Sequence, residues 1–145
     1  MGCGLEPPRE ISDSLVVSGI ERRFITVVGE KYDENFPEKL IFAFHGRTNS
    51  NEQVRRYYDV EDVWDGRGIV VYPLGLPHEG PSRRRSDPGD DLENLRDFAF
   101  FDAMLEFFSE NYCVDLDQVF VVGHSLGAWF TNSLACGRGD VIRGM

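Results

Sequence analysis

Residues 119–128 read Val119-Phe120-Val121-Val122-Gly123-His124-Ser125-Leu126-Gly127-Ala128. An apolar run breaks into Gly-x-Ser-x-Gly and continues into residues compatible with a helix, which is the sequence form of a nucleophile elbow. The spacing matters because the chain has to reverse sharply from strand to helix. Gly123 and Gly127 remove the side chains that would collide across that turn, and Ser125 is left standing above the sheet edge. The same turn aims the backbone N–H of Leu126 at the place where a tetrahedral oxyanion forms, so one peptide segment supplies a nucleophile and half of its stabiliser.

Two other glycine-rich turns fit the sequence less well. A dinucleotide-binding loop needs Gly-x-Gly-x-x-Gly, and Ser125 and Ala128 stand at its second and third glycine positions. A phosphate-binding loop needs Gly-Lys-Ser/Thr, which occurs nowhere in the chain. Gly-x-Ser-x-Gly alone is a common pentapeptide; the strand before it and the helix after it make it specific.

Working outward, residues 40–44 and 69–72 are continuously apolar like 119–122, as expected of strands buried on both faces of a parallel sheet. Residues 15–17 and 24–28 are β-rich runs separated by Gly19 and a charged Glu21-Arg22-Arg23 patch, consistent with an opening antiparallel pair. Residues 51–65 have mixed helical character. Leu92, Leu95, Phe98, Ala99, Phe101, Leu105, Phe108 and Tyr112 recur at helical spacing, with a second stripe at Phe100, Met104 and Phe107, so this long helix is expected to bury much of its circumference. Leu126, Phe130 and Leu134 mark one face of the helix after the elbow, and Gly137 is its expected stop. The resulting fold class is α/β, a mostly parallel sheet flanked by helices. No internal repeat or linker divides residues 1–145.

The chain has 145 residues, 41% of them hydrophobic, enough for a buried core in one domain. A formal charge of −10 disfavours a polyanionic partner such as nucleic acid. Arg83, Arg84 and Arg85 are the local exception and read as a solvated loop compensated by Asp87, Asp90 and Asp91. No apolar stretch approaches the roughly 18 residues of a membrane span, and the first 15 residues lack signal-peptide regions. The loop at 73–89 follows a strand and is expected to form a rim of the binding cleft.

His45-Gly46 directly follows the strand at 40–44, the position from which this architecture supplies a second oxyanion donor; the backbone of Gly46 and Arg47 is the candidate. The competing reading is that Gly46 only permits a tight turn, capped by His45. A serine hydroxyl also needs a histidine to take its proton and an acid to orient that histidine, in the chain order Ser, Asp or Glu, His. The three histidines, His45, His78 and His124, all precede Ser125. His124 is adjacent in the turn, where its side chain should diverge from Ser125, and His78 reads as a solvated loop residue. Asp140 is the one carboxylate after Ser125, and about 12 helical residues carry it roughly 18 Å away. The chain is therefore expected to stop before the acid and base, to be inactive alone, and to leave Phe120–Val122 as an exposed sheet edge.

Cys113 precedes the elbow strand and Cys136 ends the following helix. Strand and helix run in opposite directions, so both return to one end of the sheet, and a Cys113–Cys136 disulfide is expected over two free thiols. Cys3 is left for a bond elsewhere, a lipid or a free thiol. With no Cys-x-x-Cys or histidine-rich spacing, no metal site is expected.

Several segments together resemble a known group: Gly2-Cys3-Gly4; Leu40-Ile41-Phe42-Ala43-Phe44-His45-Gly46; Val71-Tyr72-Pro73-Leu74-Gly75; Tyr112-Cys113-Val114-Asp115; Gly123-His124-Ser125-Leu126-Gly127-Ala128-Trp129; and Leu134-Ala135-Cys136. The set resembles the secreted polyhydroxybutyrate depolymerase and feruloyl esterase group of α/β-hydrolases, in the family's order. The resemblance implies the N-terminal portion of one catalytic domain, through the elbow and the helix after it. It also implies a carboxylic ester hydrolase working through an acyl-enzyme on Ser125, without a cofactor, on a small or polymeric ester outside the cytoplasm. The alternative is a non-catalytic binding module or remnant that kept the scaffold.

Overall fold

The computed structural model describes residues 2–77, 84–85 and 96–145. Strand β1 (Ser14–Val17) turns through Gly19, at φ +78°, into β2 (Ile20–Val28), the expected antiparallel pair. β3 (Glu38–Phe44) leads into α1 (Asn51–Tyr58), and β4 (Ile69–Pro73) follows a short 3₁₀ turn at Asp62–Trp64. A small hairpin pairs β5 (Leu76–Pro77) with β6 (Arg84–Arg85). Then come α2 (Arg96–Asn111), β7 (Val114–Gly123), α3 (Leu126–Gly137) and β8 (Ile142–Gly144). The six-stranded sheet runs β1-β2-β4-β3-β7-β8. β4, β3, β7 and β8 pair in parallel, while β1, β2 and β4 pair antiparallel, so the sheet is mixed.

Helix α1 starts where the sequence satisfies its first amides. The Ser50 hydroxyl accepts from Gln53 N–H at 3.3 Å and the Gln53 amide oxygen accepts from Ser50 N–H at 2.9 Å, a reciprocal cap. It ends at Asp59 in a left-handed conformation, φ 50°, which splits the 51–65 stretch into a helix and a separate turn.

Side chains along β3 alternate between two cores. Leu40, Phe42 and Phe44 meet Phe101, Met104 and Phe108 of α2 and Phe130 and Leu134 of α3, all essentially without solvent exposure. Ile41 and Ala43 face the other side with Val70, Tyr72 and Val54 of α1. Fully burying a large apolar side chain is worth about 1.5–3 kcal/mol. The four α2 residues Phe100, Phe101, Met104 and Phe108 therefore outweigh the few tenths per residue that aromatic residues cost in a helix.

Three expectations are corrected. Cys113 pairs with Cys3, and Cys136 is a free, exposed thiol. α3 does return toward the start of β7, but Cys136 is exposed there. The N-terminal segment reaches Cys113 first: Gly2 N–H donates to Ser109 O at 2.9 Å and Gly2 packs on the backbone of Tyr112, too closely for a side chain. The Phe120–Val122 edge is partly covered, because β8 pairs at Val119↔Ile142 and Phe120↔Gly144. Arg22, read as part of a charged patch, is buried, with its guanidinium 2.6 Å from Asp97 and 4.1 Å above the Phe100 ring. Arg83, Asp87, Asp90 and Asp91 lie outside the described residues, as do 78–83 and 86–89 of the expected rim.

Candidate active site

The parallel register Ala43↔Val122, Phe44↔Gly123 brings the ends of β3 and β7 side by side, so the chain leaving each strand emerges at the same edge. At the end of β7 the backbone turns through Ser125, at φ 56° and ψ −122°, before α3 begins at Leu126. A non-glycine residue held there costs of order 1–3 kcal/mol, and such strain persists only where the surroundings enforce it. The enforcement is visible. A Cβ on Gly123 would strike the Gly127 carbonyl group, and one on Gly127 would strike the Phe44 carbonyl oxygen. Gly127 N–H donates to His124 O at 2.9 Å and Trp129 N–H to Ser125 O at 3.1 Å, closing the turn into the helix. Ser125 itself is exposed and its hydroxyl makes no capping bond to α3.

Gly46, buried after β3, packs against this turn from the other strand. A Cβ built on it would lie 3.1 Å from His124 O and 3.3 Å from Ser125 Cβ, so a bare backbone sits against the serine. Arg47 is exposed beside it. Leu126, as the first residue of α3, has an N–H with no partner inside the helix. The turn thus brings Ser125, Leu126 and the Gly46–Arg47 segment together.

His45 is fully buried beneath that segment. Gly75 N–H donates to its Nε2 at 2.9 Å, which leaves Nδ1 protonated and donating to Gly46 O at 2.8 Å. Two further bonds that the sequence did not disclose tie the same edge together. Asn51 Nδ2–H donates to Tyr72 O at 3.2 Å and Tyr58 O–H donates to Phe44 O at 3.1 Å. Burial pushes the Tyr58 phenol up to about 12, with the backbone bond at His124 opposing it. Tyr72 is raised as well, by burial and then by its bond to Glu61. Tyr58 sits in no recognisable motif and Tyr72 lies in the 71–75 segment without its partners being legible there, because both roles depend on which strand ends become neighbours.

His124 is exposed, its ring edge-on to Tyr57 at 6.5 Å, and it shares a surface cavity of about 470 Å³ with Asn49, Gln53, Val54, Arg56 and Tyr57. Asp140 lies in the turn before β8, in a cleft shared with Asp115, Leu116, Asp117 and Gln118 at the start of β7, the end of the strand away from Ser125. His78 is outside the described residues. Among the described residues, no group of three or more His, Cys, Asp or Glu side chains is arranged to hold a metal ion, and no helix is long and apolar enough to cross a membrane.

No family model matches the chain. Feruloyl esterase D of Neurospora crassa is 29% identical over 151 residues, 98% of this chain and 50% of that protein. Probable feruloyl esterase C of Aspergillus flavus is 30% identical over 152 residues, with the same coverage of 98% and 50%. This chain therefore spans about half the length of the curated relatives it matches. Among solved structures, the native form of sOPH superposes with a TM-score of 0.74 at 15% identity, covering 99% of this chain and 52% of that one. A ferulic acid esterase from Anaeromyces mucronatus gives 0.66 at 16% identity, covering 98% and 59%. An acetyl xylan esterase from Aspergillus awamori gives 0.67 at 21%, covering 83% and 44%. The fold of this chain is that of α/β-hydrolase-type esterases, and feruloyl esterases are its homologues over nearly its whole length.

Proposed function

We propose that residues 1–145 form the nucleophile-bearing part of a single-domain carboxylic ester hydrolase. Ser125 Oγ attacks the ester carbonyl and loses its proton to a histidine. The negative charge that develops on the carbonyl oxygen is held by the N–H of Leu126 and by the Gly46–Arg47 backbone. Collapse of this intermediate expels the alcohol, protonated by the same histidine, and leaves an acyl group on Ser125; water then repeats the sequence to release the acid. The chemistry so written needs no cofactor. Among the described residues His45 has both ring nitrogens engaged and His124 packs against Tyr57, and the chain order Ser, acid, His puts both partners after Ser125, so the base and the acid that orients it are assigned to residues outside these 145.

The observation that carries this reading is the contact of two backbones at one exposed serine: Ser125 held at φ 56° with the bare Gly46 backbone against its Cβ. The feruloyl esterases among the similar proteins support a feruloyl ester as substrate. The Cys3–Cys113 disulfide supports an oxidising compartment outside the cytosol.

A fluorophosphonate probe tests the assignment. The chain carrying its natural downstream sequence is expected to be labelled at Ser125 and to hydrolyse methyl ferulate or short polyhydroxybutyrate, and residues 1–145 alone are not. An extended chain that resists labelling, and whose hydrolysis is unchanged by Ser125→Ala, would sink the reading. An immediate stop codon after Met145 would favour a non-catalytic scaffold.

A further inference from the structure

We propose that His45 is a positioning residue for the oxyanion-binding backbone, acting as a clamp whose single proton sets the orientation of the Gly46–Arg47 peptide. The inference rests on the esterase reading above. His45 is fully buried, and each of its ring nitrogens meets a different loop. Nε2 accepts from Gly75 N–H at 2.9 Å, just beyond the end of β4, and Nδ1 lies 2.8 Å from Gly46 O, just beyond the end of β3. A backbone N–H can only donate, so Nε2 carries the lone pair and the proton is on Nδ1. The tautomer is therefore dictated by Gly75, and the bond to Gly46 O follows from it.

The consequence is geometric. A trans peptide is planar, with its N–H pointing opposite to its C=O. Turning Gly46 O toward the buried ring, where Asn49 N–H adds a longer bond of 3.3 Å, fixes the opposite direction for the N–H of Arg47. Gly46 packs so near Ser125 that a Cβ built on it would lie 3.3 Å from Ser125 Cβ, so the orientation of this peptide is set beside the proposed nucleophile. A donor contributes to transition-state stabilisation only if it is aimed in advance, and losing one costs on the order of 100-fold to 1,000-fold in rate. His45 touches no substrate in this arrangement; it acts through the peptide it holds.

The side-chain amides of Asn and Gln divide the two bonds. Asn places an N–H donor where Nδ1 stood, and Gln places an acceptor where Nε2 stood. In residues 1–145, nitrogen-15 NMR is expected to show His45 with a protonated Nδ1 and an unprotonated Nε2. His45→Ala should speed amide exchange at Gly75 and change the Arg47 amide shift. His45→Asn should restore the Arg47 shift and His45→Gln the Gly75 protection. In the full natural chain, His45→Ala and His45→Gln should lower kcat for methyl ferulate about 100-fold with KM within about twofold, whereas His45→Asn recovers most of kcat.

The opposite tautomer, or kcat that tracks thermal stability across the three variants instead of the Gly46 bond, overturns the proposal. Undiminished hydrolysis in His45→Ala does the same while leaving Ser125 in its role. A wild-type full chain that hydrolyses no ester, yet keeps the nitrogen signature, instead removes the esterase reading and the catalytic role of His45 with it.

Discussion

Gly127 lies with its Cα against the carbonyl oxygen of Phe44, so close that no methyl group fits between the helix after the elbow and the end of β3. The obstacle is backbone, which cannot rotate away as a side chain would. Gly127→Ala must therefore push α3 off the sheet or reopen the turn at Ser125. Overpacking of this kind costs about 1–3 kcal/mol. Because the strain is concentrated at Ser125, the proposed nucleophile, its labelling in the active protein should fall by more than the stability loss explains. Urea unfolding and fluorophosphonate labelling of the same sample check both parts. Gly4→Ala, where a Cβ meets nothing within 4 Å, is a control for a glycine that only occupies positive φ.

Local patterns made the elbow and the buried strands readable from the chain alone. The 119–128 run encodes a strand, a turn and a helix within ten residues, and unbroken apolar runs mark strands covered on both faces. Long-range partners were not readable in this way. The partner of Cys113 lies 110 residues away in sequence, and nothing local to Cys3 or Cys136 says which is nearer. Arg22 sits between two charged neighbours and looks solvated, yet the pleat turns it inward to meet Asp97. β8 is only three residues long, too short for a periodic signal. The buried role of His45 was equally hidden, because Gly75 reaches it only after β3 and β4 pair.

The buried ion pair should behave differently from the surface ones. Arg22 and Asp97 are both 2% exposed, and the guanidinium also lies over Phe100. Removing one partner strands a charge where water cannot reach it, which typically costs about 3–5 kcal/mol. Asp97→Leu is expected to destabilise the chain by that amount. Arg22→Met combined with Asp97→Leu should recover part of the loss, since the buried Arg22 charge is gone while Arg96, 3.5 Å from Asp97, still loses its partner. A double-mutant cycle by chemical denaturation measures the coupling. The exposed pair Arg23–Asp13, in contrast, should contribute less than about 1 kcal/mol.

The disulfide makes a separate, countable prediction. Cys3–Cys113 closes a loop of about 110 residues, for which the chain-entropy description gives close to 4.7 kcal/mol as an upper figure. Cys3→Ala or reduction should lower stability by about 2–5 kcal/mol and release the N-terminal segment from Tyr112. The folded, oxidised chain should show one thiol reactive toward Ellman's reagent, from Cys136. Peptide mapping that recovers Cys113 joined to Cys136 would contradict this pairing.

Alkaline pH should unfold the chain through its buried phenols. Burial raises Tyr58 to about 12 and also raises Tyr32, Tyr72 and Tyr112, above the ordinary tyrosine value near 10 that the unfolded chain retains. Between these values the unfolded state has released protons that the folded state still holds, so stability falls as pH rises. The contribution is complete below about pH 10 and declines from there toward pH 12. Urea midpoints at pH 8, 10 and 11.5 should drop in that order. Tyr58→Phe removes one titrating group and the bond to Phe44 O, so it should cost about 1 kcal/mol at pH 8 and flatten the alkaline slope. An unchanged slope in Tyr58→Phe would mean that this phenol does not titrate differently in the folded chain.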